Sequence, residues 1–191
     1  MKIYFVASPR AISTEGKLFR EMYNYLNKNN VMTSDLLMKL DDKNVGDFYG
    51  AGHEQVVEHY KRTISAVKRA NFVIVEVSLH SMSMGYIVNK SLELNKPVVA
   101  LYKKGFEPYF FGGIENERLR TIEYKPENYK KALDEAVEFG KGGSDVRFNF
   151  FVSPKILAYL DWVAKTRRLP RSVFLRNLIE KEMKKDKSFR G

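Results

Sequence analysis

Two hydrophobic rhythms alternate along the first three quarters of the chain. Residues 2–7 (KIYFVA) are an apolar and aromatic run of strand length that opens onto Ser8-Pro9-Arg10. An amphipathic helix follows through about Asn27, with Ser13 and Thr14 as candidate N-caps and Leu18, Phe19, Met22, Tyr25 and Leu26 on one face. Residues 31–52 are mixed, and Gly46, Gly50 and Gly52 mark loops. Helical spacing returns over 53–69 through Val56, Val57, Tyr60, Ile64 and Val67. FVIVEV at 72–77 is a near-continuous β-branched run, as expected of a strand buried on both faces of a parallel sheet. A polar turn, a helix over about 85–94 ending at Lys96-Pro97, and the strand VVALY at 98–102 come next. A Gly- and Phe-rich loop, a short strand near 119–124 and a helix over about 127–139 complete the series.

Strands alternating with helices predict an α/β domain over 1–139, with a doubly wound, mostly parallel, Rossmann-like sheet. Ligands bind such sheets at the carboxyl ends of the strands, here 8–12, 78–86 and the 103–116 loop. GKGGSD at 140–145 reads as a flexible linker. The pattern then changes. RFNFFV at 147–152 places Phe148, Phe150 and Val152 on one face of a short strand and Arg147, Asn149 and Phe151 on the other. Ser153-Pro154 starts a helix carrying Ile156, Leu157, Leu160, Trp162 and Val163, which Leu169-Pro170 breaks. Ser172 is the expected cap of a second helix, with Val173, Leu175, Leu178, Ile179 and Met183 as its apolar stripe. One strand and two helices over 146–191 cannot close a core alone, so this module is expected to pair with a second copy.

Composition sharpens the division. Hydrophobic content of 44% with 29% charged residues is ordinary for a globular protein. The net charge of +10 is uneven: residues 1–142 hold 21 Lys+Arg against 18 Asp+Glu, and residues 143–191 hold 12 against 5. Positive charge concentrated in a small module is the footprint of a phosphate-backbone binder. The absence of cysteine excludes disulfides, thiolate zinc sites and Cys nucleophiles, and fits a cytoplasmic location. His53, His59 and His80 are too scattered to suggest a metal site, and no cofactor is indicated. No apolar run approaches the ~18–20 residues that span a bilayer, so no membrane partner is expected.

The C-terminal order of strand, Ser-Pro helix start, LDWVA-containing helix and PRSVFLRNLIE helix resembles the ribbon-helix-helix repressors, the Arc and methionine-repressor class. That resemblance implies an antiparallel ribbon in the DNA major groove. Arg147 and Asn149 would then reach base edges, and Ser172 with the following amides would hold a phosphate. Phe151 departs from the usual polar outward position; it would meet thymine methyls, or else the module serves dimerisation only.

The front domain carries KIYFVASPR, KRANFVIVEVS, SMSMGY and KPVVALY in an order that resembles the nucleoside 2-deoxyribosyltransferase-like family, above all its deoxynucleoside 5′-monophosphate N-glycosidases. The resemblance covers about residues 2–138. It implies a carboxylate nucleophile attacking an anomeric carbon, a second carboxylate handling the base, an orienting tyrosine, and serines and an arginine on the phosphate. Tyr4, Ser8, Arg10, Ser81 and Gly85 match ligand-holding positions, with Tyr86 beside them. The nucleophile position falls on Ile87 and the second carboxylate on Thr63, and Ala11, Ile12 and Ser83 replace phosphate-loop glycines. Glu76 is the one candidate replacement acid; its plainer reading is a carboxylate bonding the amides of the 78–84 turn.

Three functions follow from these patterns. The first is a DNA-binding regulator, dimeric or tetrameric, whose degenerate hydrolase-like domain binds a nucleotide-like molecule. The second is an N-glycosidase or deoxyribosyltransferase with a non-standard acid. The third is a defence or toxin–antitoxin component with a vestigial pocket.

Overall fold

The computed structural model describes residues 1–40, 50–142, 151–167 and 170–186. The chain divides into two units, Met1–Val146 and Arg147–Gly191.

Among the described residues of the first unit every strand is parallel. The strands are β1 (Lys2–Ala7), β2 (Val31–Met32), β3 (Phe72–Glu76), β4 (Val98–Lys103) and β5 (Leu119–Tyr124), in the order β2-β1-β3-β4-β5. Tyr4 lies opposite Val73, and Val75 opposite Ala100. Because successive side chains point to opposite faces, this register builds two apolar layers. Ile3, Phe5, Phe72, Ile74, Val99 and Leu101 pack with residues of α1 (Ile12–Asn27) and α6 (Tyr129–Gly142). Tyr4, Val6, Val73, Val75, Val98 and Ala100 pack with residues of α3 (His53–Arg69) and α4 (Met82–Glu93). The chain leaves β1 for β2 on one side and later returns to lay down β3, β4 and β5 on the other. The reversal falls between β1 and β3, where such sheets open a crevice for ligands.

Several boundaries differ from the sequence expectation. A 3-10 turn at Pro9–Ala11 precedes α1, and Ala11 N–H donates to Ser8 O at 3.0 Å. The fixed φ of Pro9 starts the turn early, so Ser13 and Thr14 lie inside the helix, where Thr14 Oγ1 donates to Ala11 O. α4 begins at Met82 rather than near 85, because Gly85 N–H already closes on Ser81 O at 3.1 Å. α6 runs to Gly142, so residues 140–142 of the expected linker are helical; residues 143–145 lie outside the described residues. Gly140 is a packing residue there: a Cβ would come within 2.6 Å of the buried Phe72 ring. β2 and the single-turn helices α2 (Leu36–Lys39) and α5 (Tyr109–Gly112) are too short for periodicity to reveal. Among the described residues no helix is long and apolar enough to cross a membrane.

The second unit contains α7 (Pro154–Arg167) and α8 (Arg171–Met183). Ser153 Oγ accepts a bond from Ile156 N–H at 3.4 Å, as the Ser-Pro start predicts. α8 begins two residues earlier than a cap at Ser172 allows. Pro170 makes the extended entry, with ψ of 143°, and its carbonyl accepts from Phe174 N–H, so Ser172 sits in the first turn. Leu160, Val163 and Phe174 form a small core, Tyr159 stacks on Trp162, and Arg171 pairs with Asp161. Ile156, Leu157, Val173, Leu178 and Ile179 remain exposed. Of the expected ribbon strand, residues 147–150, with Arg147 and Asn149, lie outside the described residues. Phe151 and Val152 are not in a strand, and Phe151 is fully exposed.

Candidate functional site

At the β1–β3 reversal, on the α3/α4 face of the sheet, lies a cavity of about 600 Å³. β1 contributes Tyr4. α3 contributes Gln55, His59 and Thr63, which are spaced four apart and so share one helix face. Ser81 borders the cavity at the start of α4, and Ser83, Met84 and Ile87 of that helix line it; Leu36, Leu37 and Leu40 close the side at α2.

None of the described lining residues is Asp, Glu, Lys or Arg. The polar groups are neutral hydrogen-bonding ones. Burial pushes the Tyr4 phenol up to about 12, with the Thr63 hydroxyl beside it pulling the other way, so it stays a phenol near neutral pH. Burial and then the Arg62 charge hold His59 below its ordinary value, which favours the neutral imidazole. Gln55 is oriented by its side-chain carbonyl, which accepts from Gly52 N–H at 3.1 Å. Ile87, 5% exposed, presents an apolar wall packed with Tyr4, Met84 and Val88. The arrangement can seat and orient an uncharged, ring-bearing group, but its described lining holds no carboxylate to form a glycosyl ester.

The structure brings some of the anticipated residues together and separates others. Tyr4, Thr63, Ser81, Ser83 and Ile87 converge on the cavity. Ser8 is fully buried, its Oγ has no partner among the described residues, and it does not line the cavity. Arg10 stands outside it, with Nη2 donating to His80 O at 3.0 Å. Gly85 borders an adjoining hollow instead, and Tyr86 Oη lies 2.8 Å from Tyr60 Oη at the surface. Ala11 and Ile12, which stand where the resemblance expects phosphate-loop glycines, pack into the core of the opposite face and do not line the cavity.

Glu76 also belongs to the other face, since alternation along β3 turns it away from Tyr4. Its Oε1 accepts from Ser78 N–H at 3.2 Å, from the Ser78 hydroxyl and from Tyr124 Oη at 3.0 Å. Ser78 Oγ in turn accepts from Lys103 N–H at 2.7 Å, so the group ties the ends of β3 and β4 together. Burial raises the Glu76 pKa against the pull of these bonds. This agrees with the plainer reading of Glu76 as a turn-bonding carboxylate. His59 and Gln55 were missed in the sequence. Their spacing from Thr63 was the available signal, obscured by the apolar period of Val56, Tyr60 and Ile64.

No protein-family model matches the chain, and no curated protein sequence matches it. The first unit does have a solved counterpart in fold. A CMP N-glycosidase of Clostridium botulinum, BcmB, is similar over 71% of this chain and 99% of its own, with a TM-score of 0.51 and 14% sequence identity. At that identity the likeness establishes the fold class, a parallel α/β sheet flanked by helices of the kind that N-glycosidase has.

Proposed function

We propose that this chain is a ligand-responsive DNA-binding protein of the cytoplasm. Its front cavity takes a nucleotide-type molecule without cleaving it, and its C-terminal unit pairs with a second copy and holds DNA. The observation that carries the first half is the described lining of the cavity. It keeps neutral hydrogen-bonding groups at Tyr4, His59, Thr63 and Ser81, and has Ile87 and Thr63 where the resemblance expects the two carboxylates. The similarity to a CMP N-glycosidase supports a nucleotide as the class of ligand. Ser81 at the amino end of α4, with Arg10 nearby, suits the phosphate. An N-glycosidase reading needs an acid outside this described lining, because Glu76 faces the other side of the sheet.

The second half rests on the tail. Its helix pair buries three residues and leaves Ile156, Leu157, Trp162, Leu178 and Ile179 exposed, which suits burial against a second copy. The excess of 12 basic over 5 acidic residues in 143–191 suits a phosphate backbone. Arg147, Asn149 and Phe151 ahead of α7 in the chain and Ser172 in the first turn of α8 are the proposed DNA contacts.

Incubation with the 5′-monophosphates of the ribo- and deoxyribonucleosides, followed by chromatography, is expected to show no free base, while at least one nucleotide raises the melting temperature. Release of free base by the wild-type chain would overturn the non-cleaving reading. DNA fragments should be retarded in a salt-dependent way and released by Arg147→Ala.

A further inference from the structure

The cavity is not isolated. A second hollow of about 430 Å³ adjoins it, and Ser81 and Met84 border both. Its walls are Val77 at the end of β3, Met82 and Gly85 of α4, and the rings of Tyr109 and Phe110 on α5. These groups are unusually exposed for their type: Met82 at 92%, Tyr109 at 82% and Phe110 at 87%. α5 has no fully buried residue; Phe111 packs against the core of this face, while the rings of Tyr109 and Phe110 stand outward. As in the first hollow, no Asp, Glu, Lys or Arg is among the described lining residues.

The ridge between the two hollows is the amino end of α4, and its chemistry differs from both. Gly85 N–H donates to Ser81 O, the first bond of the helix, so the amides of Met82, Ser83 and Met84 have no acceptor within it. The Ser81 side chain does not cap them. Arg10 is fastened beside the ridge through His80 O. The sequence of environments is therefore a neutral polar cavity, an uncapped helix end with a guanidinium nearby, and an aromatic hollow. A mononucleotide seated in the first two would leave the third empty.

We propose that the two hollows receive the two ends of one dinucleotide. One nucleoside sits beside Tyr4 and His59, the joining phosphate crosses Ser81 at the amino end of α4, and the second base stacks on Phe110 and Tyr109. Each hollow is within the size range of small-molecule sites, and the ridge supplies the donors that an anionic linker needs. This assignment rests on the nucleotide reading of the first cavity and adds the second base and the linker to it.

Calorimetric titration of the full chain with AMP, the linear dinucleotide pApA and NAD+ tests it. pApA carries a phosphodiester linker and NAD+ a pyrophosphate. At least one of them is expected to bind about tenfold or more tighter than AMP, the lower part of what stacking one base on an aromatic side chain contributes. Phe110→Ser removes an exposed ring and should leave the melting temperature unchanged while bringing the ratio toward one. Gly85→Leu provides a second probe. A Cβ at Gly85 meets nothing within 4 Å, so the side chain enters open space beside the hollow and should obstruct the second base. Equal binding of AMP and both dinucleotides would overturn the proposal and leave the nucleotide reading standing. Tighter dinucleotide binding that neither variant changes would also overturn it, since the second base would then lie elsewhere. Absence of binding by all three would overturn it together with the nucleotide reading for adenine ligands.

Discussion

The two units of this chain solve the problem of burying apolar surface in different ways. In the first, one sheet is covered on both faces, and Ile3, Phe72, Val73, Val99 and Leu101 have no measurable exposure. In the second, two helices share a core of Leu160, Val163 and Phe174, while more apolar side chains face outward than inward. A parallel sheet satisfies its backbone between strands and its side chains against helices on either side, so it is complete in one chain. Among the described residues the helix pair has no second layer to cover its outward apolar side chains. The front unit therefore completes its core within one chain, whereas the helix pair leaves apolar side chains uncovered.

The sharpest test of that contrast is a core truncation. Leu101→Ala should destabilise the front unit by about 2–5 kcal/mol, and its transition should not depend on protein concentration. Gly140→Ala comes next. The added methyl must displace the fully buried Phe72 ring, at a cost of about 1–3 kcal/mol measured by denaturant titration. A freely tolerated Gly140→Ala would mean that residue 140 belongs to a linker after all.

For the tail, Ile179→Ser removes a side chain that is 59% exposed in the chain by itself, so a self-sufficient helix pair would lose almost nothing. If a second copy covers it, the dimer should weaken by about 1 kcal/mol or more, several-fold in Kd, by sedimentation. Trp162, the sole tryptophan, lies in α7 and reports on this unit, so its emission should shift with protein concentration in the wild type.

The smallest effect concerns Glu76. Its folded pKa is raised by burial from the ordinary 4.5, so the folded state holds the proton more tightly than the unfolded chain. The stabilisation is fully present below 4.5 and is lost as pH rises through the raised folded value. Thermal melts across that window should slope downward for the wild type and run flatter for Glu76→Gln.

Much of the fold was legible because its signals are local. The runs at 2–7, 72–77 and 98–102 are apolar on both faces, and only a covered parallel strand accommodates that. Gly140 and the helical start at 82–84 were misread for the opposite reason. Gly140 is set by the Phe72 ring across the core, and the helical state of 82–84 by the closure of Gly85 on Ser81. Of the site, Tyr4, Thr63, Ser81 and Ile87 were marked by the family resemblance of the front domain, and all four line the cavity. His59 and Gln55 were not marked, because the apolar period of the same helix dominated its reading.

By itself the sequence determined that there are two modules, that the first alternates strand and helix, that the second is the more basic, and that no carboxylate stands at positions 63 and 87. Periodicity, composition and residue identity are sufficient for each of those. Only the tertiary structure decided that Glu76 faces away from the cavity, that His59 and Gln55 face into it, and that Ser8, Arg10 and Gly85 do not line it. The physical reason is the side-chain alternation of a strand and the phase of a helix. Both become assignments of place only once strand order and register are fixed.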